Sequence, residues 1–176
     1  MHYVRENVAI CGFHEIGSRE TFRSHRFHAH LQCAAPFDPW LEEELEVKAM
    51  LFDDGMVIPA AVFRDAQSWL DGHWDRGHKI LISCAAGRSR SVTMTIALLH
   101  RKAGQPFEDA MREVLSKRPE AYPHPDILLS ASRYCGERLG FARLRRLYDE
   151  APIQPACPWP DDLLQEALGR AAGLRP

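Results

Sequence analysis

The chain has 176 residues, a formal charge of -2 at pH 7, 45% hydrophobic and 26% charged residues. That length and balance suit one soluble globular domain with a real core, possibly carrying an appendage. The near-neutral charge gives no electrostatic reason to expect nucleic acid as a partner, and no apolar run is long enough to span a membrane. The opening MHYVRENVAICGF lacks a secretory leader pattern, so a cytoplasmic location is expected.

The first expected strand is 7–11 (NVAIC), closed by Gly12, and a brief helix is expected near 18–24. Residues 27–33 alternate, with Phe27, Ala29, Leu31 and Cys33 on one side and His28, His30 and Gln32 on the other. That pattern predicts a half-buried strand with surface-facing histidines. A third strand is expected over 47–52, ended by Asp53, Asp54 and Gly55, and Pro59 then suits a helix start. Val62, Phe63, Ala66, Trp69 and Leu70 form an apolar stripe at helical spacing.

Residues 79–83 (KILIS) read as a central strand covered on both faces. A helix is expected over 91–102, stopped by Gly104. Another opens at Pro106 and ends at Arg118-Pro119, and a third runs from Pro125 to about Gly140. Strands alternating with helices predict an α/β fold, a central mainly parallel sheet with helices on both faces. From residue 141 the character changes. A basic helix over 141–148 leads to APIQPACPWP, which holds four prolines in ten residues, and Asp161 is expected to cap a last amphipathic helix. Residues 1–140 are therefore read as the catalytic unit and 141–176 as an extension lying on it.

The chemistry lies in ILISCAAGRSRSV, residues 80–92. A buried strand delivers Cys84 to a tight loop, and Gly87 permits a backbone conformation closed to other residues. The loop runs straight into a helix, so its amide N–H groups converge where the helix dipole is positive, which makes an anion site. Arg90 adds a planar fork that binds two phosphate oxygens at once. Cys84 sits in the same positive field, which favours its thiolate as an attacking nucleophile. The other cysteines (Cys11, Cys33, Cys135 and Cys157) are widely spaced and form no CxxC pair, so neither a disulfide framework nor a zinc site is expected. His28 and His30 alone supply too few ligands for a metal, and no cofactor is expected.

Cys84, Ala85, Ala86, Gly87, Arg88, Ser89, Arg90 and Ser91, a C-x-A-G-x-S-R-S loop, closely resemble the dual-specificity phosphatases of the protein tyrosine phosphatase superfamily. The resemblance covers roughly residues 5–140. It implies a compact tyrosine-phosphatase-like fold and metal-independent hydrolysis through a phosphocysteine on Cys84. Arg90 would bind the phosphate, Ser91 would hydrogen-bond the sulfur as leaving group, and the backbone of Ala85, Ala86, Gly87, Arg88 and Ser89 would cradle the anion. It also implies a general-acid aspartate about thirty residues upstream. Asp53 is preferred because Phe63 then falls in the expected register, with Asp54 as the alternative. The family usually places a histidine before the cysteine; here that residue is Ser83, which leaves the thiolate more dependent on the helix end and Arg90.

The expected substrate is a phosphorylated protein, carrying phosphotyrosine or phosphoserine and phosphothreonine, or a small phosphomonoester. A lipid or small-molecule phosphatase is the first alternative, because the G-R-S-R-S run also resembles phosphatidylglycerophosphate phosphatases and Arg88 would meet an extra acidic group. A weakly active phosphate-binding module, suggested by Ser83, is the second. A sulfurtransferase also uses a cysteine loop, but Arg90-Ser91 is better explained by phosphate.

Overall fold

The computed structural model describes residues 1–34, 41–152 and 158–175. Strands β1 (His2–Arg5) and β2 (Val8–Gly12) are followed by a single 3-10 turn, helix α1 (Arg19–Ser24) and β3 (Ala29–Gln32). A one-turn helix α2 (Leu41–Glu44) precedes β4 (Glu46–Ala49) and the long helix α3 (Ala60–Asp75). Strand β5 (Ile80–Cys84) then feeds α4 (Arg90–Ala103), α5 (Phe107–Lys117), α6 (Pro125–Tyr134), α7 (Phe141–Asp149) and α8 (Asp161–Ala172).

The strands form one sheet in the order β1-β2-β5-β3-β4, with β1 antiparallel to β2 and every other pair parallel. The expected mainly parallel α/β sheet is thus present, with β5 at its centre. Ile80 and Ile82 pack on one face against Phe63, Val92, Phe107 and Ile127 from α3 to α6. Leu81 packs on the other face with Cys11, Phe22 and Leu41, beneath α1 and α2. Burial on both faces is why β5 carries an unbroken apolar run rather than an alternating one.

Several boundaries differ from expectation. The antiparallel edge strand β1 was not anticipated, because its short mixed sequence carries no clear period. Residues 27–33 do not form a half-buried strand: β3 is buried along its whole length and His30 is fully buried, while only His28 is exposed. Alternation reports which residues share a face; it is blind to whether α1 and α2 later cover that face. Strand β4 ends at Ala49, so Asp53 and Asp54 lie beyond it in a loop. Helix α6 stops at Tyr134 rather than near Gly140, and Gly136 takes a positive φ of 83° just beyond its end. Asp161 is the first helical residue of α8 rather than its cap; its carboxylate meets Arg145 at 3.1 Å.

Helices α7 and α8 share the main core. Leu144, Leu147, Tyr148, Leu164, Ala167 and Ala171 are buried in the same cluster as β5 and α4. Arg170 of α8 grips Asp126 of α6 through two hydrogen bonds of 2.7 and 2.9 Å. Part of the proline-rich stretch, with Cys157, lies outside the described residues.

Candidate active site

Cys84 is the last residue of β5, at the carboxyl edge of a parallel sheet, where open α/β sheets place their ligand sites. Its side chain is buried, and its Sγ lies 3.2 Å from Ser91 Oγ on the first turn of α4. Between them the loop turns on Gly87, whose φ is 68°. A Cβ there would come within 2.6 Å of Arg118 Nη2 and of the Cys11 and Gly12 backbone, so both conformation and space demand glycine.

The carbonyls of this loop all point outward to partners. Ala85 O accepts from Phe13 N–H at 3.2 Å, Arg88 O from Tyr122 N–H at 2.9 Å and Ser89 O from Thr93 N–H at 2.9 Å. Arg118 supplies the others, donating from Nη2 to Ala86 O at 3.1 Å and from Nε to Gly87 O at 2.5 Å. In a trans peptide the following N–H points opposite to the carbonyl. With carbonyls 85 to 89 so bonded, the N–H groups of Ala86, Gly87, Arg88, Ser89 and Arg90 turn to the opposite side of the loop. Arg90 Nε is buried without a hydrogen-bond partner among the described residues, with the Asp54 carboxylate 3.7 Å away. Its Nη1 donates to Phe52 O at 3.1 Å, which ties the loop after β4 to the cradle.

Arg118 is itself held. It is nearly fully buried, and its Nη1 and Nη2 donate to Glu15 at 3.2 and 2.7 Å. Burial alone would raise the Glu15 carboxyl, but hydrogen bonds from Arg118 and from the Gly12 N–H outweigh it and bring the pKa down to about 2. Glu15 thus stays ionised as the anchor of the arginine that shapes the loop. Neither residue stood out in the sequence, where Arg118-Pro119 signals only a helix end.

Of the two candidate acids, Asp54 reaches the site. Its Oδ1 accepts from Ser89 Oγ at 2.7 Å, and its Oδ2 lies 3.7 Å from Arg90 Nε. Ser89 Oγ in turn accepts from the His124 N–H at 3.0 Å. Both aspartates are exposed, but Asp53, which the sequence register favoured, makes no hydrogen bond or ion pair among the described residues. A turn follows at Asp54-Gly55, where Gly55 has a φ of 89°. Beside the cradle opens a cavity of about 510 Å³, lined by Asp54, Ala86, Arg88, Ser89, Tyr122, His124 and Trp159.

Ser83, the residue before the cysteine, faces away from the loop helices and is fully buried, its Oγ 2.7 Å from His30 Nε2 on β3. The remaining described cysteines are not poised for chemistry. Burial pushes the Cys11 and Cys135 thiols up to about 12 and the Cys33 thiol well above its usual range.

Residues 16–130 match the family described as "Dual specificity phosphatase, catalytic domain". The chain belongs to that family. This phosphatase is 26% identical over 132 residues to dual specificity protein phosphatase 1B of Arabidopsis thaliana, a match that covers 74% of this chain and 79% of the relative. The solved structure of human DUSP28 superposes with a TM-score of 0.69 at 20% identity, covering 77% of this chain and 96% of that one. The structure of PTPMT1 in complex with PI(5)P superposes at 0.66 and 16% identity, covering 77% and 94%. These likenesses show the fold, and the family makes the chain a cysteine-dependent phosphatase acting on phosphorylated substrates. The part of this phosphatase beyond residue 130 includes Trp159, which lines the cavity.

Proposed function

We propose that this phosphatase hydrolyses phosphate monoesters of proteins through a phosphocysteine on Cys84, without a metal, in the cytoplasm. The observation that supports this reading is the pinning of carbonyls 85 to 89, which leaves consecutive amides on the opposite side of the loop, free to cradle an anion at Cys84. Cys84 Sγ attacks phosphorus as the ester P–O bond breaks, and the departing oxygen takes the proton of the Asp54 carboxyl. The loop amides and Arg90 carry the equatorial oxygens. Water then attacks phosphorus, Asp54 receives its proton, and the S–P bond breaks with Ser91 Oγ–H stabilising the departing thiolate. Asp54 takes the acid role here in place of Asp53, because it lies on the cavity wall next to Arg90.

Cys84→Ser is expected to lower turnover by roughly 10⁴-fold or more, since the nucleophile is lost. Orthophosphate or vanadate should still bind the variant, because the cradle is built from backbone and Arg90. A chelator should leave the wild-type rate unchanged. Near-wild-type hydrolysis by Cys84→Ser would remove the phosphocysteine from the reaction.

A lipid phosphatase is the second reading. Arg88 borders the cavity and makes no ion pair with a carboxylate among the described residues, so it suits a further acidic group on a phosphoinositide. Turnover on phosphopeptides against phosphoinositide vesicles separates the two.

A further inference from the structure

Trp159 lies beyond the residues that match the family, yet it forms part of the cavity beside the phosphate cradle. Its indole stacks on Tyr122, with ring centroids 5.7 Å apart and an interplanar angle of 21°. It also sets an edge against His124 at 4.8 Å and 71°. Its Nε1–H donates to Pro123 O at 3.3 Å, and its own carbonyl accepts from Arg145 Nη1 at 2.7 Å. Arg145 also pairs with Asp161, and Tyr148 Oη–H donates to Pro123 O at 2.9 Å, so α7 and α8 brace the wall from behind. The ring is therefore held in place before any ligand arrives, and its ordering is not a cost of binding.

Arg88 also lines this cavity; it is exposed, and its Nε donates to Glu120 O at 2.8 Å. The space thus offers aromatic rings and a cation in its lining. In-line attack puts the leaving group of a monoester on the side of phosphorus opposite Cys84 Sγ, and the open space next to the cradle is this cavity, which Ala86 and Asp54 border. A phenyl ester presents a flat ring one bond from the ester oxygen. The side chains of phosphoserine and phosphothreonine present only an sp³ carbon with no face to stack.

We infer that Tyr122 and Trp159 form an aryl-binding wall, supplied in part by the C-terminal extension, that biases this site toward phosphotyrosine over phosphothreonine. The inference rests on the proposed protein phosphatase reading and names its preferred substrate. Aromatic pairing of this kind is worth about a tenfold preference.

Two peptides identical except for phosphotyrosine or phosphothreonine provide the test, with full-length wild type, Trp159→Ala, Trp159→Leu and Trp159→Phe. The ratio of kcat/KM values for the two peptides should fall about tenfold in Trp159→Ala and Trp159→Leu, through KM of the phosphotyrosine peptide, and recover in Trp159→Phe. Leucine retains apolar bulk, so it controls for collapse of the wall. An unchanged ratio in folded Trp159→Leu, an equal loss on both peptides, or a wild-type preference for phosphothreonine or for phosphoinositide would overturn the inference. The same peptides are titrated calorimetrically onto Cys84→Ser and Cys84→Ser/Trp159→Leu. If wild type turns over neither peptide, yet Cys84→Ser binds phosphotyrosine selectively and the added Trp159→Leu erases that selectivity, the catalytic reading falls and the aryl wall stands. Equal binding of both peptides by Cys84→Ser sinks the aryl wall whatever the turnover.

Discussion

Asp54 and Asp53 are adjacent in the chain, and only one of them faces Ser89 and Arg90. A general acid matters most when the leaving group is a poor one, since a good leaving group departs with little protonation. Asp54→Asn should therefore slow phosphoserine hydrolysis roughly 10²-fold or more and slow para-nitrophenyl phosphate much less. Asp53→Asn should leave both rates within about twofold, as expected of an exposed side chain with no partner among the described residues. Steady-state rates on the two substrates check this. The leaving-group dependence appearing in Asp53→Asn would return the acid role to the residue that the sequence register favoured.

Between elements, the pair formed by β3 and β5 places an imidazole next to the residue that precedes the nucleophile. His30 and Ser83 are 53 positions apart in sequence, and their side chains meet at 2.7 Å across the sheet. Burial drives the His30 pKa down from its usual 6.5 to about 3. The folded protein thus holds a neutral ring that the unfolded chain would protonate below about 6.5. The lowered folded value means that this contribution to stability is whole above about 6.5 and is lost as pH falls toward about 3. His30→Asn keeps a polar partner for Ser83 but removes the titrating group. Its melting temperature should lie below wild type at pH 7.5, and the gap should narrow by pH 4.5. Parallel melting curves at both pH values would show that His30 does not carry this limb.

For the whole molecule, α7 and α8 belong to the core rather than to a loose tail. Leu144, Leu147, Tyr148 and Leu164 are at most 1% exposed. Burying such side chains contributes about 1.5–3 kcal/mol each, a sum comparable to the ~5–15 kcal/mol net stability of a domain. Removal of residues 141–176 would also take away Arg170 and leave the buried Asp126 carboxylate without its two hydrogen bonds. The shortened chain should lose its cooperative melt or unfold at least 10 °C lower, by roughly the scaling of melting temperature with stability. A circular dichroism melt of both chains measures this. Equal melting temperatures would mean that residues 1–140 fold unaided and that the extension serves only the cavity.

The phosphate loop was legible in the amino-acid order because everything it needs is local. Gly87 bends the chain, the helix begins within the same few residues, and Cys84, Arg90 and Ser91 are brought together by that one turn. The central strand was legible for a related reason, since a run buried on both faces must be continuously apolar. Choices that depend on distant segments were left to the tertiary structure. Periodicity placed His28 and His30 on one face, but only the covering by α1 and α2 buried His30 against Ser83. Spacing brought both aspartates near the site, but only the folded loop set Asp54, and not Asp53, against Ser89 and Arg90. Arg118 and Glu15 lie about a hundred residues apart and meet only beneath the loop they shape. Trp159 reaches the cavity because α8 packs on α6 and α7 packs on α5 and α8, and no pattern within its own proline-rich stretch encodes that destination.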